Sequence, residues 1–138
     1  MKKILVAYDG SGPAEKAFDL ALDLAEHYQA GVCAIAVARP PEPANDVETE
    51  AVLENAQAYF GAMLASLRER AENKRVPFSF KVIVGHPAEQ IVAYAEANDF
   101  DHIVMGHRGK TLFQKWLLGS VAKRVMSYAH CSVTIVRE

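Results

Sequence analysis

The sequence predicts an α/β fold, an open and largely parallel five-stranded sheet with helices on both faces. Two observations carry this. Five short apolar runs, at residues 3–8, 32–38, 77–84, 102–105 and 131–136, alternate with segments whose apolar residues recur at spacings of three and four. Most of the runs are almost continuously apolar, as strands buried on both faces of a parallel sheet must be. Strict strand–helix alternation implies right-handed βαβ units.

Residues 3–8 (Lys3 to Tyr8) form the first strand, broken by Asp9-Gly10-Ser11-Gly12-Pro13. Pro13 suits the first turn of a helix, with Ser11 or Gly12 as its N-cap and Glu15 near the positive end of its dipole. Ala14, Ala17, Phe18, Ala21, Leu22, Ala25 and Tyr28 give that helix one apolar face, and Gly31 is expected to close it. Residues 32–38 make the second strand. Residues 39–49 carry three prolines and three acidic side chains with no apolar period before Val52, so a long mobile loop is expected. Val52, Ala56, Tyr59, Phe60, Met63, Leu64 and Leu67 mark a long amphipathic helix ending near Asn73, its Met and aromatic stripe serving as core. In the third strand Phe78, Phe80, Val82 and Val84 alternate with Ser79, Lys81 and Ile83, leaving one face more solvated. Gly85-His86-Pro87 leads into a helix carrying Ala88, Ile91, Val92 and Ala95. The fourth strand, 102–105, precedes a glycine-rich bend. A last helix carries Val121, Ala122, Val125, Met126 and Ala129, and the fifth strand follows.

The chain has 138 residues and is read as one domain, 1–138, long enough for a sizeable core. A net charge of −2 gives no basic field for nucleic acid or an anionic membrane. No apolar run approaches the length of a membrane span, and the start lacks a signal-peptide pattern, so a cytoplasmic protein is expected. Cys33 and Cys131 lie at no metal-ligand spacing, nor do His27, His86, His102 and His130.

The chemistry concentrates between Val104 and Ala122. The fourth strand ends in Met105, Gly106 and Gly109 follow, and nine residues later Gly119-Ser120 opens a helical pattern. Glycines admit close backbone approach and positive φ. Free N–H groups in such a bend form an anion nest, and a helix N-terminus adds its dipole and unpaired donors. The segment from Gly106 to Thr111 looks superficially like the end of a P-loop. Only two residues separate its glycines, and no helix pattern begins at Lys110, so a P-loop is rejected.

The pattern Gly-x2-Gly-x9-Gly-Ser, filled by Gly106, Gly109, Gly119 and Ser120, resembles the nucleotide-binding motif of the universal stress proteins, in their ATP-binding branch. The resemblance implies a Rossmann-like sheet of order 3-2-1-4-5, with the ligand crevice at the switch between strands 1 and 4. Cys33 and Cys131 would then stand three strand spacings apart, about 14 Å, too far for a disulfide. Ala7, Tyr8 and Asp9 match the end of strand 1, where the family's Asp approaches the adenosine or its metal; for Asp9 an Asx turn is the alternative. Val37 matches the position whose backbone meets the adenine edge. Met105 and Gly106 would lie against the ribose and Gly109 against the phosphates. Gly119, Ser120, Val121 and Ala122 would hold the terminal phosphates, with Ser120 both donating its hydroxyl and capping the helix. Arg108 and Lys110 could neutralise phosphate charge, and His107 either packs on the nucleotide or faces water.

The implied ligand is ATP, with ADP or AMP as alternatives, and Mg2+ or Mn2+ would arrive with the phosphates rather than on a protein-only site. The implied role is a nucleotide-dependent stress-response module acting on a regulated protein partner of unknown identity, with hydrolysis at most slow. The edge strand 131–136 invites pairing with a second copy, so a homodimer is expected there. Two further readings remain at this stage: an ATP-consuming enzyme of the related ATP pyrophosphatase type, and a dimeric interaction module without nucleotide. The first wants Ser-Gly-Gly-x-Asp-Ser after strand 1, where this chain has Asp9-Gly10-Ser11-Gly12-Pro13. A receiver-like domain would want acidic residues at the end of strand 3, which here is Val84-Gly85-His86.

Overall fold

The computed structural model describes residues 1–43, 45–109 and 118–137. Five parallel strands, β1 (Lys3–Ala7), β2 (Gly31–Ala38), β3 (Phe78–Val84), β4 (His102–Gly106) and β5 (Ser132–Val136), form one sheet in the order β3-β2-β1-β4-β5. Helices α1 (Gly12–Tyr28), α2 (Asp46–Asn73), α3 (Pro87–Ala97) and α4 (Ser120–Tyr128) connect them. The fold class and the strand order are those expected.

The side-chain alternation of each strand builds two cores. Ile4, Val6, Val32, Ala34, Ala36 and Val104 face α1 and α2, where they meet Phe18, Leu22, Phe60 and Leu67. Leu5, Cys33, Ile35, Ile103 and Met105 face α3 and α4, against Ile91, Ala95, Ala122 and Val125. Every one of these side chains is at least nine-tenths buried. The outer strands β3 and β5 are less covered, as edge strands are. Cys33 and Cys131 are free thiols, on β2 and beside β5, with two strands between them.

Several element boundaries differ from expectation. The α1 N-cap is Ser11, one of the two residues expected there, whose hydroxyl accepts from the Ala14 N–H at 3.2 Å. Gln29, not a glycine, takes the left-handed position that ends α1 (φ 56°), and Gly31 is already the first residue of β2. The expected loop over residues 39–49 is shorter, because α2 begins at Asp46. Asn45 caps it by accepting from the Glu48 N–H at 2.8 Å, and Asp46 and Glu48 sit at the positive end of the helix dipole. Tyr59, expected in the core stripe of α2, is largely exposed.

Helices α1 and α2 are joined at the level of the β1 terminus. The Arg70 guanidinium donates to Glu15 Oε2 at 2.8 Å and Asp19 Oδ1 at 2.6 Å and lies over the Phe18 ring, 4.8 Å from its centroid. Glu15 in turn accepts from the Tyr8 hydroxyl, and burial pushes that phenol's pKa up. Tyr8 is the first residue after β1, and its N–H extends the ladder to Ile35 O at 2.9 Å. The β1 terminus is therefore fixed from both sides before any ligand is considered.

Candidate functional site

At the C-terminal ends of the strands, where β1 separates from β4, a crevice of about 380 Å3 opens between the sheet, α3 and α4. In an open parallel sheet the chain leaves β1 and β4 in opposite directions, so the connections diverge and leave a gap. Of the expected binding residues, thirteen are among the described ones and twelve of these line it: Ala7, Tyr8, Asp9, Val37, Met105, Gly106, Arg108, Gly109, Gly119, Ser120, Val121 and Ala122. His107 does not. Its side chain is 2% exposed, so it neither packs in the crevice nor faces water. Its backbone ties the mouth together instead: His107 N–H donates to Val136 O at 2.9 Å, and its carbonyl accepts from the Gly119 N–H at 2.7 Å. Lys110 lies outside the described residues.

The glycines act differently from expectation. The described glycine at positive φ is Gly10 (79°), in the turn after β1, whereas Gly106, Gly109 and Gly119 are not in that region. Gly106 is required by packing: a Cβ there would stand 2.5 Å from Pro13 Cβ and 3.0 Å from the Pro13 carbonyl carbon. Only a residue without a side chain lets β4 come this close to the start of α1. A Cβ on Gly109 would stand 2.9 Å from Asp9 Oδ2. Asp9 makes the Asx turn that was the alternative for it, its Oδ1 accepting from the Ser11 N–H at 2.9 Å.

The α4 N-terminus forms one wall. Its N-cap is Gly119 rather than Ser120, which is the first helical residue and is exposed. The first intrahelical bond runs from Lys123 N–H to Gly119 O at 3.0 Å. The N–H groups of Ser120, Val121 and Ala122 come before it and have no acceptor within the helix. With no acidic residue in that first turn, the positive end of the dipole is uncompensated by its own helix. Arg108 also lines the crevice, and Asp9 supplies a carboxylate to it. Such a crevice is built to take an anionic group against α4, with an apolar part against Ile35, Val37, Ile91 and Met105.

Ser11, Ala14, Ile35, Arg39, Pro87 and Ile91 also line the crevice and were not among the expected residues. Ile35 was reachable from Val37, two residues away on the same strand face. Pro87 and Ile91 arrive through the packing of α3, which no local signal reports. At the opposite end of the sheet a wider, open hollow of about 690 Å3 lies between the α3–β4 and α4–β5 connections. Among the described residues no three His, Cys, Asp or Glu side chains gather as a metal site, and no helix is long and apolar enough to cross a membrane.

An open parallel sheet of order 3-2-1-4-5 with a crevice at its switch point defines a Rossmann-like α/β class. Within that class, the chain belongs to the Universal stress protein family, whose family model matches residues 1–137. A universal stress protein of Methanocaldococcus jannaschii is 35% identical over 99% of this chain and 82% of its own length. Among solved structures, the universal stress protein UspA from Lactobacillus plantarum superposes with a TM-score of 0.83 at 25% identity, covering 99% of this chain and 97% of that one. A universal stress protein solved in complex with cAMP shares the fold at a TM-score of 0.77 and 24% identity, covering 99% of this chain and 97% of that chain.

Proposed function

We propose that this chain is an ATP-binding universal stress protein, a regulatory module whose state depends on nucleotide occupancy. The observation that carries the reading is the meeting, in one crevice, of the free N–H groups of Ser120–Ala122, the bare backbone of Gly109, the Arg108 guanidinium and the Asp9 carboxylate. That a family member has been solved with cAMP supports a nucleotide as the ligand class. The triphosphate would lie across Gly109, Gly119, Ser120, Val121 and Ala122, where backbone donors and the α4 dipole favour negative charge. The ribose would rest on Met105 and Gly106. The base would enter the apolar end, its edge toward the Val37 backbone, with Ala7 and Tyr8 beneath. ADP or AMP would use the same subsites with fewer phosphate contacts. A divalent cation would arrive with the phosphates, Asp9 being the carboxylate available to it.

Occupancy would be read out at two places. Residues 39–43 leave the base end of the crevice and lead toward α2. The β5 edge, tied to the crevice mouth through Val136 O and His107 N–H, is the surface we assign to pairing with a second copy. Sedimentation velocity with and without ATP reads the second; limited proteolysis in the 39–43 segment reads the first.

Isothermal titration of nucleotide-stripped protein with ATP and magnesium tests the reading. Saturable binding by the parent, lost in a folded Gly109→Ala, Gly119→Ala double variant, supports it. A folded parent that gives no binding heat and no ATP-dependent shift in melting temperature overturns it.

A further inference from the structure

We propose that Arg39 reads the base, and that it opens the crevice to 6-oxopurine nucleotides such as GTP as well as to ATP. This rests on the nucleotide reading above and specifies its ligand range. Along β2, Val37 packs toward α3 and α4 and Ala38 toward α1 and α2. Alternation returns the next residue, Arg39, to the α3 side, and there it lines the crevice together with Pro87 and Ile91.

Arg39 is exposed at the rim of the crevice, and among the described residues it makes no hydrogen bond, ion pair or ring contact. The other arginines that face the protein are engaged: Arg70 with Glu15 and Asp19, Arg68 over Phe78, Arg124 near Glu89. A guanidinium with all its donors unspent, at the rim of a crevice, is suited to a ligand acceptor.

Its position decides which part of the ligand it meets. Arg39 follows β2, whereas the anion-accepting groups follow β4, two strand spacings or about 10 Å away. The phosphates belong to the β4–α4 end, so the guanidinium faces the base. A guanidinium only donates. Guanine and hypoxanthine offer it two adjacent acceptors, O6 and N7, which it can take as a bidentate pair. Adenine offers N7 beside an amino group, itself a donor, so there the pair is lost.

The test is titration of the stripped protein with Mg-ATP, Mg-GTP and inorganic tripolyphosphate, in the parent, Arg39→Ala and Arg39→Lys. GTP is expected to bind the parent within about tenfold of ATP. In Arg39→Ala, GTP affinity should fall on the order of tenfold, ATP should change less than about twofold, and tripolyphosphate should not change. Arg39→Lys should restore little of the GTP affinity, because an ammonium cannot form the bidentate pair. ATP binding with GTP more than about tenfold weaker in the parent, or equal losses of ATP and GTP in Arg39→Ala, overturns the inference and leaves the nucleotide reading standing. Failure of all three ligands to bind the folded parent overturns the nucleotide reading itself.

Discussion

Asp9 and Gly109 are in register across the crevice: the Asp9 Oδ2 lies 2.9 Å from the point where a Cβ on residue 109 would stand. The other carboxylate oxygen accepts from the Ser11 N–H, so the turn after β1 orients the side chain and its free edge borders the bend after β4. The two halves of the switch point thus touch through a missing side chain.

Gly106 and Gly109 should therefore respond differently to the same substitution. At residue 106 the new methyl meets Pro13 backbone and ring, which cannot turn aside, and Gly106→Ala should cost about 1–3 kcal/mol. At residue 109 it meets the end of one side chain, which can rotate. Gly109→Ala should cost less than about 1 kcal/mol while displacing Asp9 and weakening ATP binding. Urea denaturation of both variants, with ATP titration of the second, checks the contrast. Equal losses of stability would contradict it.

Arg70 joins α2 to α1 through two carboxylates and the face of Phe18. Its side chain is 25% exposed, so the ion pairs are partly screened, and packing of the guanidinium and its stem adds to them. Arg70→Ala should lower stability by about 1–2 kcal/mol. Arg70→Lys should recover only part of this, since one ammonium cannot hold both carboxylates while lying flat on a ring. Denaturant midpoints of the two variants measure it; a full recovery by Lys would show that charge alone matters.

Much of the fold is legible because parallel strands carry their burial in their composition: Ile4-Leu5-Val6 and Ile103-Val104-Met105 admit few other placements. The start of α2 was missed because Asp46–Thr49 has no apolar period. The local sign was the pair Asn45 and Glu48, a cap and its third residue. Gln29 in the left-handed position has no sequence signature at all. At the site, the motif located the β4–α4 wall but misjudged its parts. Gly106 serves Pro13, a contact created by tertiary packing 93 residues apart in the numbering. His107 is buried although its neighbours line the crevice, because its backbone is drawn between Val136 and Gly119. Arg39 could be found only once α3 was known to pack beside β2.

His102 gives the protein a pH dependence. It is buried on β4 with its Nε2 2.7 Å from Thr134 Oγ1 of β5. Burial, the largest influence, lowers its pKa below the usual value; the N-terminus acts in the same direction and Asp101 in the opposite one. Between the folded pKa and about 6.5 the unfolded chain binds the proton more readily, so stability falls as pH drops through that window and is unaffected by His102 above it. His102→Gln should flatten the slope of stability against pH below about 6.5. Denaturation curves from pH 7.5 to 5 for both proteins decide it; parallel slopes would contradict the assignment.

The most direct test of the central claim, that the switch-point crevice is the nucleotide site, is an amide chemical-shift map of the labelled protein titrated with Mg-ATP. The largest changes should fall on Asp9, Val37, Gly106, Arg108, Gly109 and Ser120–Ala122, with Phe100, Cys131 and Ser132 in the hollow at the opposite end unaffected. Changes centred on that opposite hollow, or none at saturating ATP, would contradict the account.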